Sequence, residues 1–229
     1  MTRGAPQGRA GGLGGMGREG RAGGPGGLGR GGGSPQAGYL RLFVAWELPE
    51  ALLAALERLQ GELRAQAPAL RWVRLQGIHL TLKFLGEVGE SRVPAIIEAL
   101  RRAAEPTAPL AIALGRPGSF GGRQGPTVIW VGLEGDLETL AHLQRQVEGA
   151  LAPLGFPPEE RPFHPHLTLA RVPPESAADG RRLEALLPTA HLPSPEPFTI
   201  EEISLMRSIL GPGGAAYQRL ATLPLAGRE

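Results

Sequence analysis

The tetrapeptide His-Leu-Thr-Leu occurs twice, at His79 to Leu82 and at His166 to Leu169, and takes two of the chain's five histidines. In an extended strand, residues two apart share one face and stand about 6.5 Å from each other. Each copy therefore offers an imidazole and a hydroxyl side by side. Its leucines point the other way, into a core, which fixes the register. Two such strands placed together would make a symmetric four-residue site. Its chemistry would be phosphoryl transfer without a metal: a neutral imidazole takes a proton from the attacking oxygen while a protonated one gives a proton to the departing oxygen. Two imidazoles with ordinary pKa values near 6.5 are in those opposite states in up to about a quarter of molecules. The threonine hydroxyls would donate to the non-bridging phosphate oxygens.

The elements that must position these strands are readable around them. Tyr39 to Leu48 reads as a strand. Pro49 and Glu50 open a helix whose Leu52, Leu53, Leu56, Leu59 and Leu63 form one face. Leu70 to Leu75 is expected as a second strand and Ile78 to Leu85 as a third, ended by Gly86. A helix follows over Ser91 to Ala104 with Pro94 in its first turn. The second half repeats the pattern: strands at Leu110 to Leu114 and Thr127 to Leu133 joined by the glycine-rich stretch Gly115 to Gly125, then a helix from an Asp136 cap to Leu151. A proline-rich turn, Gly155 to Pro165, leads to the second motif strand, His166 to Val172. A short helix over Gly180 to Leu187 and strands at Phe198 to Leu210 and Ala216 to Leu223 close the chain. This order predicts an α+β fold of two pseudo-symmetric lobes, antiparallel sheet with outer helices, and a cleft between them carrying the two His-x-Thr strands.

Composition narrows the choices. Residues 1 to 38 hold 17 of the 35 glycines, and residues 1 to 37 carry five arginines against Glu19, a net of +4; they are expected as a disordered Gly/Arg-rich extension of a domain spanning 38 to 229. The domain then carries a net of −2, so a pI near 9.6 describes the extension more than the fold. The absence of cysteine excludes disulfides, thiolate nucleophiles and cysteine-ligated metals. No run of 18 apolar residues occurs, and a soluble cytoplasmic protein is expected. Lys83, the only lysine, reads as compositional bias.

Taken with their flanks, the motifs resemble the two-histidine phosphoesterases, specifically the RNA 2′,3′-cyclic phosphodiesterases also called 2′-5′ RNA ligases. The resemblance rests on Arg41 to Pro49, Trp72-Val73, His79 to Glu87, Pro165 to Arg171 and Leu205 to Ser208. It implies hydrolysis of RNA 2′,3′-cyclic phosphate ends to a 2′-phosphate, with His79 protonating O3′, His166 activating water, and Thr81 and Thr168 holding the phosphate. With a 5′-hydroxyl RNA end in place of water, the same geometry would make a 2′-5′ linkage. It implies no cofactor, no metal and no membrane, a monomer, and RNA ends, tRNA fragments among them, as partner. The family pattern also marks Arg171 as a phosphate or base contact, although its odd offset from His166 requires a twist or bend.

Arg207 and Ser208 could line the same cleft, whereas Phe43 and Phe84 are expected in the core, with stacking on a base at the cleft edge as the alternative. His142 and His191 are expected to face solvent. Two other classes stay open: a catalytically silent RNA-end-binding module, and a metallohydrolase using His164 and His166, for which only Glu159 or Glu160 offers a third ligand.

Overall fold

The computed structural model describes residues 38–190, 197–211 and 214–227. Strand β1 (Tyr39–Glu47) leads through Pro49 into helix α1 (Glu50–Gln66). The two-residue strand β2 (Arg71–Trp72) precedes β3 (His79–Gly89), and α2 (Val93–Ala104) follows. A long hairpin, β4 (Leu110–Gly122) and β5 (Gly125–Gly135), is succeeded by α3 (Leu137–Leu151), β6 (His166–Arg171) and α4 (Ala177–Leu186). The remaining strands are β7 (Phe198–Ile200), β8 (Glu202–Gly211) and β9 (Gly214–Pro224).

All pairings are antiparallel, and the sheet runs β7-β4-β5-β6-β3-β1-β8-β9 with β2 added on β6. Two four-stranded halves meet where β3 touches β6, through the single register pair Leu80↔Leu167. The succession β1-α1-β3 has its counterpart in β5-α3-β6, each motif strand pairing with the strand that precedes its helix. The expected lobes are therefore halves of one continuous sheet. Helices α1 to α4 cover one face, and one apolar core containing leucines from all four unites both halves. The opposite face is open, and the buried cluster described on it is the small one of Phe43, Ala45 and Met206, packed by Tyr217.

Five expectations are corrected, one being that the strand foreseen at Phe198 to Leu210 divides at Glu201 into β7, paired with β4, and β8, paired with β1. The strand foreseen at Leu70 to Leu75 shrinks to Arg71–Trp72, and a 3-10 turn at Leu75–Gly77 redirects the chain into β3. Gly86 does not end β3; with φ +72° it lies in a bulge, where Leu42 pairs with Gly86 but Phe43 with Phe84, and the strand runs on to Gly89. The glycine-rich stretch after Leu114 is strand up to Gly122. Gly118 is required there because a Cβ would stand 2.5 Å from the Trp130 ring. Asp136 sits at the start of α3 without a side-chain cap; its carboxylate instead accepts the Ala111 N–H at 3.1 Å.

Candidate active site

Within each motif the leucines, Leu80 and Leu82 or Leu167 and Leu169, are buried in the core, while His79, Thr81, His166 and Thr168 are partly exposed on the open face. The Leu80↔Leu167 pair is antiparallel, so its neighbours in register bring His79 opposite Thr168 and Thr81 opposite His166. All four predicted side chains thus meet on one surface. Each imidazole is tethered the same way: His166 Nδ1 lies 2.7 Å from the carbonyl oxygen of His164, and His79 is hydrogen-bonded to the backbone of Gly77, two residues back in both cases. A ring nitrogen that donates to a carbonyl fixes the tautomer and leaves the other nitrogen for substrate.

Arg171 reaches the same face through a bulge. Trp130 pairs with Thr168 but Ile129 with Ala170, so Leu169 is an extra residue; Leu169 and Ala170 are both buried, and Arg171 returns to the side of His166. Its charge acts on both His166 and Tyr217. The first motif has the matching bulge at Leu82, between the pairs Ala45↔Thr81 and Val44↔Lys83. There it turns Lys83 into the core, only 3% exposed, where it pairs with Glu148 and donates to the Pro157 carbonyl at 2.9 Å. Lys83 is thus a structural residue, a role that composition hid.

Aromatic rings hold the imidazoles from both sides. Phe43 packs 4.7 Å from the His79 ring, and Tyr217 meets it edge-on at 5.1 Å. Phe120 meets His166 edge-on at 4.8 Å, with Trp130 5.0 Å from Phe120. Phe43, expected in the core, is buried beneath the site instead, and Phe84 is 54% exposed. Arg207 and Ser208 separate: Ser208 is the cross-strand partner of Arg41 and Tyr217 on the open face, whereas Arg207 is paired with the core residue Leu42. His142 is exposed and bonded to Gln146, and His191 lies outside the described residues. His164 packs edge-on against Phe120 and Trp130; among the described residues no three His, Cys, Asp or Glu side chains are grouped to hold a metal.

The electrostatics of the two histidines differ. Burial pushes His79 down to about 4, opposed by its bond to Gly77 and by the Glu47 carboxylate, and reinforced by His166. Glu47 is the register partner of His79 and is held by Arg219 through two hydrogen bonds of 2.6 and 3.1 Å. Burial also lowers His166. The bond to His164 resists this, while the charges of His164 and Arg171 add to it. Besides burial, which disfavours the cation at both, the Glu47 carboxylate favours it at His79 and the Arg171 guanidinium disfavours it at His166. Glu47, Arg219 and Tyr217 escaped the sequence reading; they come together only through cross-strand register.

A pseudo-twofold α+β sheet with one His-x-Thr pair contributed by each half defines the two-histidine phosphoesterase class. The chain belongs to the 2′-5′ RNA ligase superfamily, whose family model matches residues 48–211. It is 32% identical to the RNA 2′,3′-cyclic phosphodiesterase of Methanothermobacter thermautotrophicus over 78% of this chain and 95% of that protein. With the Geobacillus stearothermophilus protein of the same name it shares 32% identity over 81% of its length, covering 57% of that relative. Among solved structures, TT0787 of Thermus thermophilus superposes with TM-score 0.66 at 30% identity, over 83% of this chain and all of that one. Escherichia coli LigT complexed with 3′-AMP gives 0.62 at 27%, over 82% and 98%.

Proposed function

We propose that this protein hydrolyses RNA ends bearing a 2′,3′-cyclic phosphate to a 2′-phosphate by metal-independent acid–base catalysis. The observation that carries the reading is the Leu80↔Leu167 junction, which sets two imidazole–hydroxyl pairs across one strand boundary on a shared open face. His166 takes a proton from water as its oxygen bonds to phosphorus. The P–O3′ bond breaks, and His79 gives its proton to O3′, leaving the phosphate on O2′. Burial works against a charged His79; the Glu47 carboxylate supports imidazolium there, and the Arg171 guanidinium favours neutral His166. Thr81 and Thr168 donate to the non-bridging oxygens, and Arg171 balances their charge. A 5′-hydroxyl RNA end in place of water closes a 2′-5′ linkage by the same proton transfers.

The names of the Methanothermobacter and Geobacillus relatives support the substrate class, and the LigT complex with 3′-AMP supports a nucleotide as ligand. Among the described residues no helix is long and apolar enough to cross a membrane. The reading takes the catalytic unit as a cytoplasmic monomeric domain from residue 38 onward, with tRNA fragments among its substrates. The test offers an oligonucleotide ending in 2′,3′-cyclic phosphate, in excess chelator, and locates the product phosphate. The expected product carries it on O2′, and His79→Ala and His166→Ala each lose several orders of magnitude in rate while staying folded. A 3′-phosphate product, chelator-sensitive turnover or an active histidine variant would overturn the mechanism.

A further inference from the structure

Because β3 and β6 share a single register pair, the ladder alone does little to set how the two motifs stand relative to each other. The bulges that follow them are gripped from below. Gln60 of α1 donates through Nε2 to the carbonyl of Leu169 at 2.9 Å and to that of Val73 at 2.8 Å, and the Val73 N–H reaches the same Leu169 carbonyl at 2.9 Å. Gln144 of α3 donates through Nε2 to the carbonyl of Leu82 at 3.4 Å and to Glu148 Oε1 at 2.9 Å; Glu148 in turn holds Lys83, the residue after the bulge. Both glutamines are buried.

The correspondence extends to sequence and is crosswise. Aligning Gln60 with Gln144 superposes Leu56 on Leu140, Leu59 on Leu143 and Leu63 on Val147, all core residues. Yet α1, next to the first motif in the chain, holds the second motif, and α3 holds the first. Each glutamine binds the carbonyl of the last leucine of a His-Leu-Thr-Leu copy, three residues from its histidine. A buried amide spanning two acceptors, two carbonyls for Gln60 and a carbonyl and a carboxylate for Gln144, resists sliding because any shift strands a donor or acceptor away from water.

We propose that Gln60 and Gln144 are paired positioning residues: each fixes the bulge behind the opposite motif, and together they set the spacing and tilt of the two imidazoles. They touch no substrate and act through the strands. This inference rests on the phosphodiesterase reading above for its kinetic consequence only. Displacing a reacting group by about 1 Å costs on the order of a hundredfold in rate.

Gln60→Met and Gln144→Met remove the amide at similar length, and Gln60→Asn and Gln144→Asn serve the same measurement where a Met variant does not fold. On the cyclic-phosphate oligonucleotide, well below each variant's melting temperature, kcat is expected to fall roughly 10- to 100-fold with KM within about twofold. In a His79→Ala background the same change should add little, since the imidazoles no longer work in concert. NMR titration reads the clamp without turnover: the His79 midpoint should rise toward its ordinary value as the motifs part and water enters. Unchanged kcat and an unchanged His79 midpoint, or an equal loss in the His79→Ala background, would overturn the inference. A wild-type protein without turnover would sink the phosphodiesterase reading, while the titration still judges the clamp.

Discussion

The acid–base assignment demands a reversal of ordinary protonation states, and pH is the perturbation that exposes it. With His79 near 4, only about one free molecule in a thousand carries imidazolium there at pH 7. His166, also lowered from 6.5, is then largely neutral. The active form needs His79 charged and His166 neutral, so kcat/KM should peak midway between the two pKa values, below about pH 5.3 rather than at the 6.5 of two unperturbed imidazoles. The kcat profile should lie higher, because the bound phosphodiester anion favours the His79 imidazolium. Glu47→Gln removes the carboxylate that supports this cation and should move the kcat/KM optimum further toward acid. The assay is steady-state cleavage of the cyclic-phosphate oligonucleotide from about pH 4.5 to about 9, with tryptophan fluorescence confirming that the protein stays folded. A kcat/KM optimum at or above about pH 6.5, or a plateau from about 6 to 9, would refute the reasoning, since neither can arise from a buried imidazole acting as the acid.

The same depressed His79 has a consequence for stability. A folded-state value below the unfolded one means that protonation favours unfolding: the contribution is complete above pH 6.5 and is lost as pH falls through about 4, on the order of 3 kcal/mol in all. Urea denaturation across this window should show the loss in wild type and much less of it in His79→Gln; equal slopes would contradict it. Lys83→Met leaves Glu148 buried without its cation and should cost about 3–5 kcal/mol, whereas Lys83→Met with Glu148→Met should recover most of that. A double variant as unstable as the single one would show that the pair is not what Lys83 contributes. Gly118→Ala drives a Cβ into the Trp130 ring and should destabilise by about 1–3 kcal/mol with a shifted tryptophan emission, as Trp130 leaves its place beside Thr168; unchanged emission would contradict this.

What the sequence made legible, and what it hid, follows from one property of sheets. Alternation is intrinsic to a strand, so His-Leu-Thr-Leu announces its faces without reference to any partner: the four leucines went inward and the four polar residues outward. A bulge is a relation between two strands, an extra residue on one against none on the other, and no single strand carries it. The misplacements of Arg171 and Lys83 descend from that. Counted by alternation, Arg171 falls on the wrong face and Lys83 on the open one; the extra residues at Leu169 and Leu82 exchange them. Phe43, Tyr217 and Glu47 are distant in sequence and become neighbours of His79 only when β1 settles between β3 and β8, and β9 on β8. Gln60 and Gln144 were hidden for a related reason. On an amphipathic helix, a glutamine beside the leucine face reads as boundary, and it becomes a buried donor only because the bulge above it presents a carbonyl turned out of its ladder. The repeat in the chain therefore marks where the chemistry is, and the duplicated bulges, invisible to that repeat, determine which residues share the site with it.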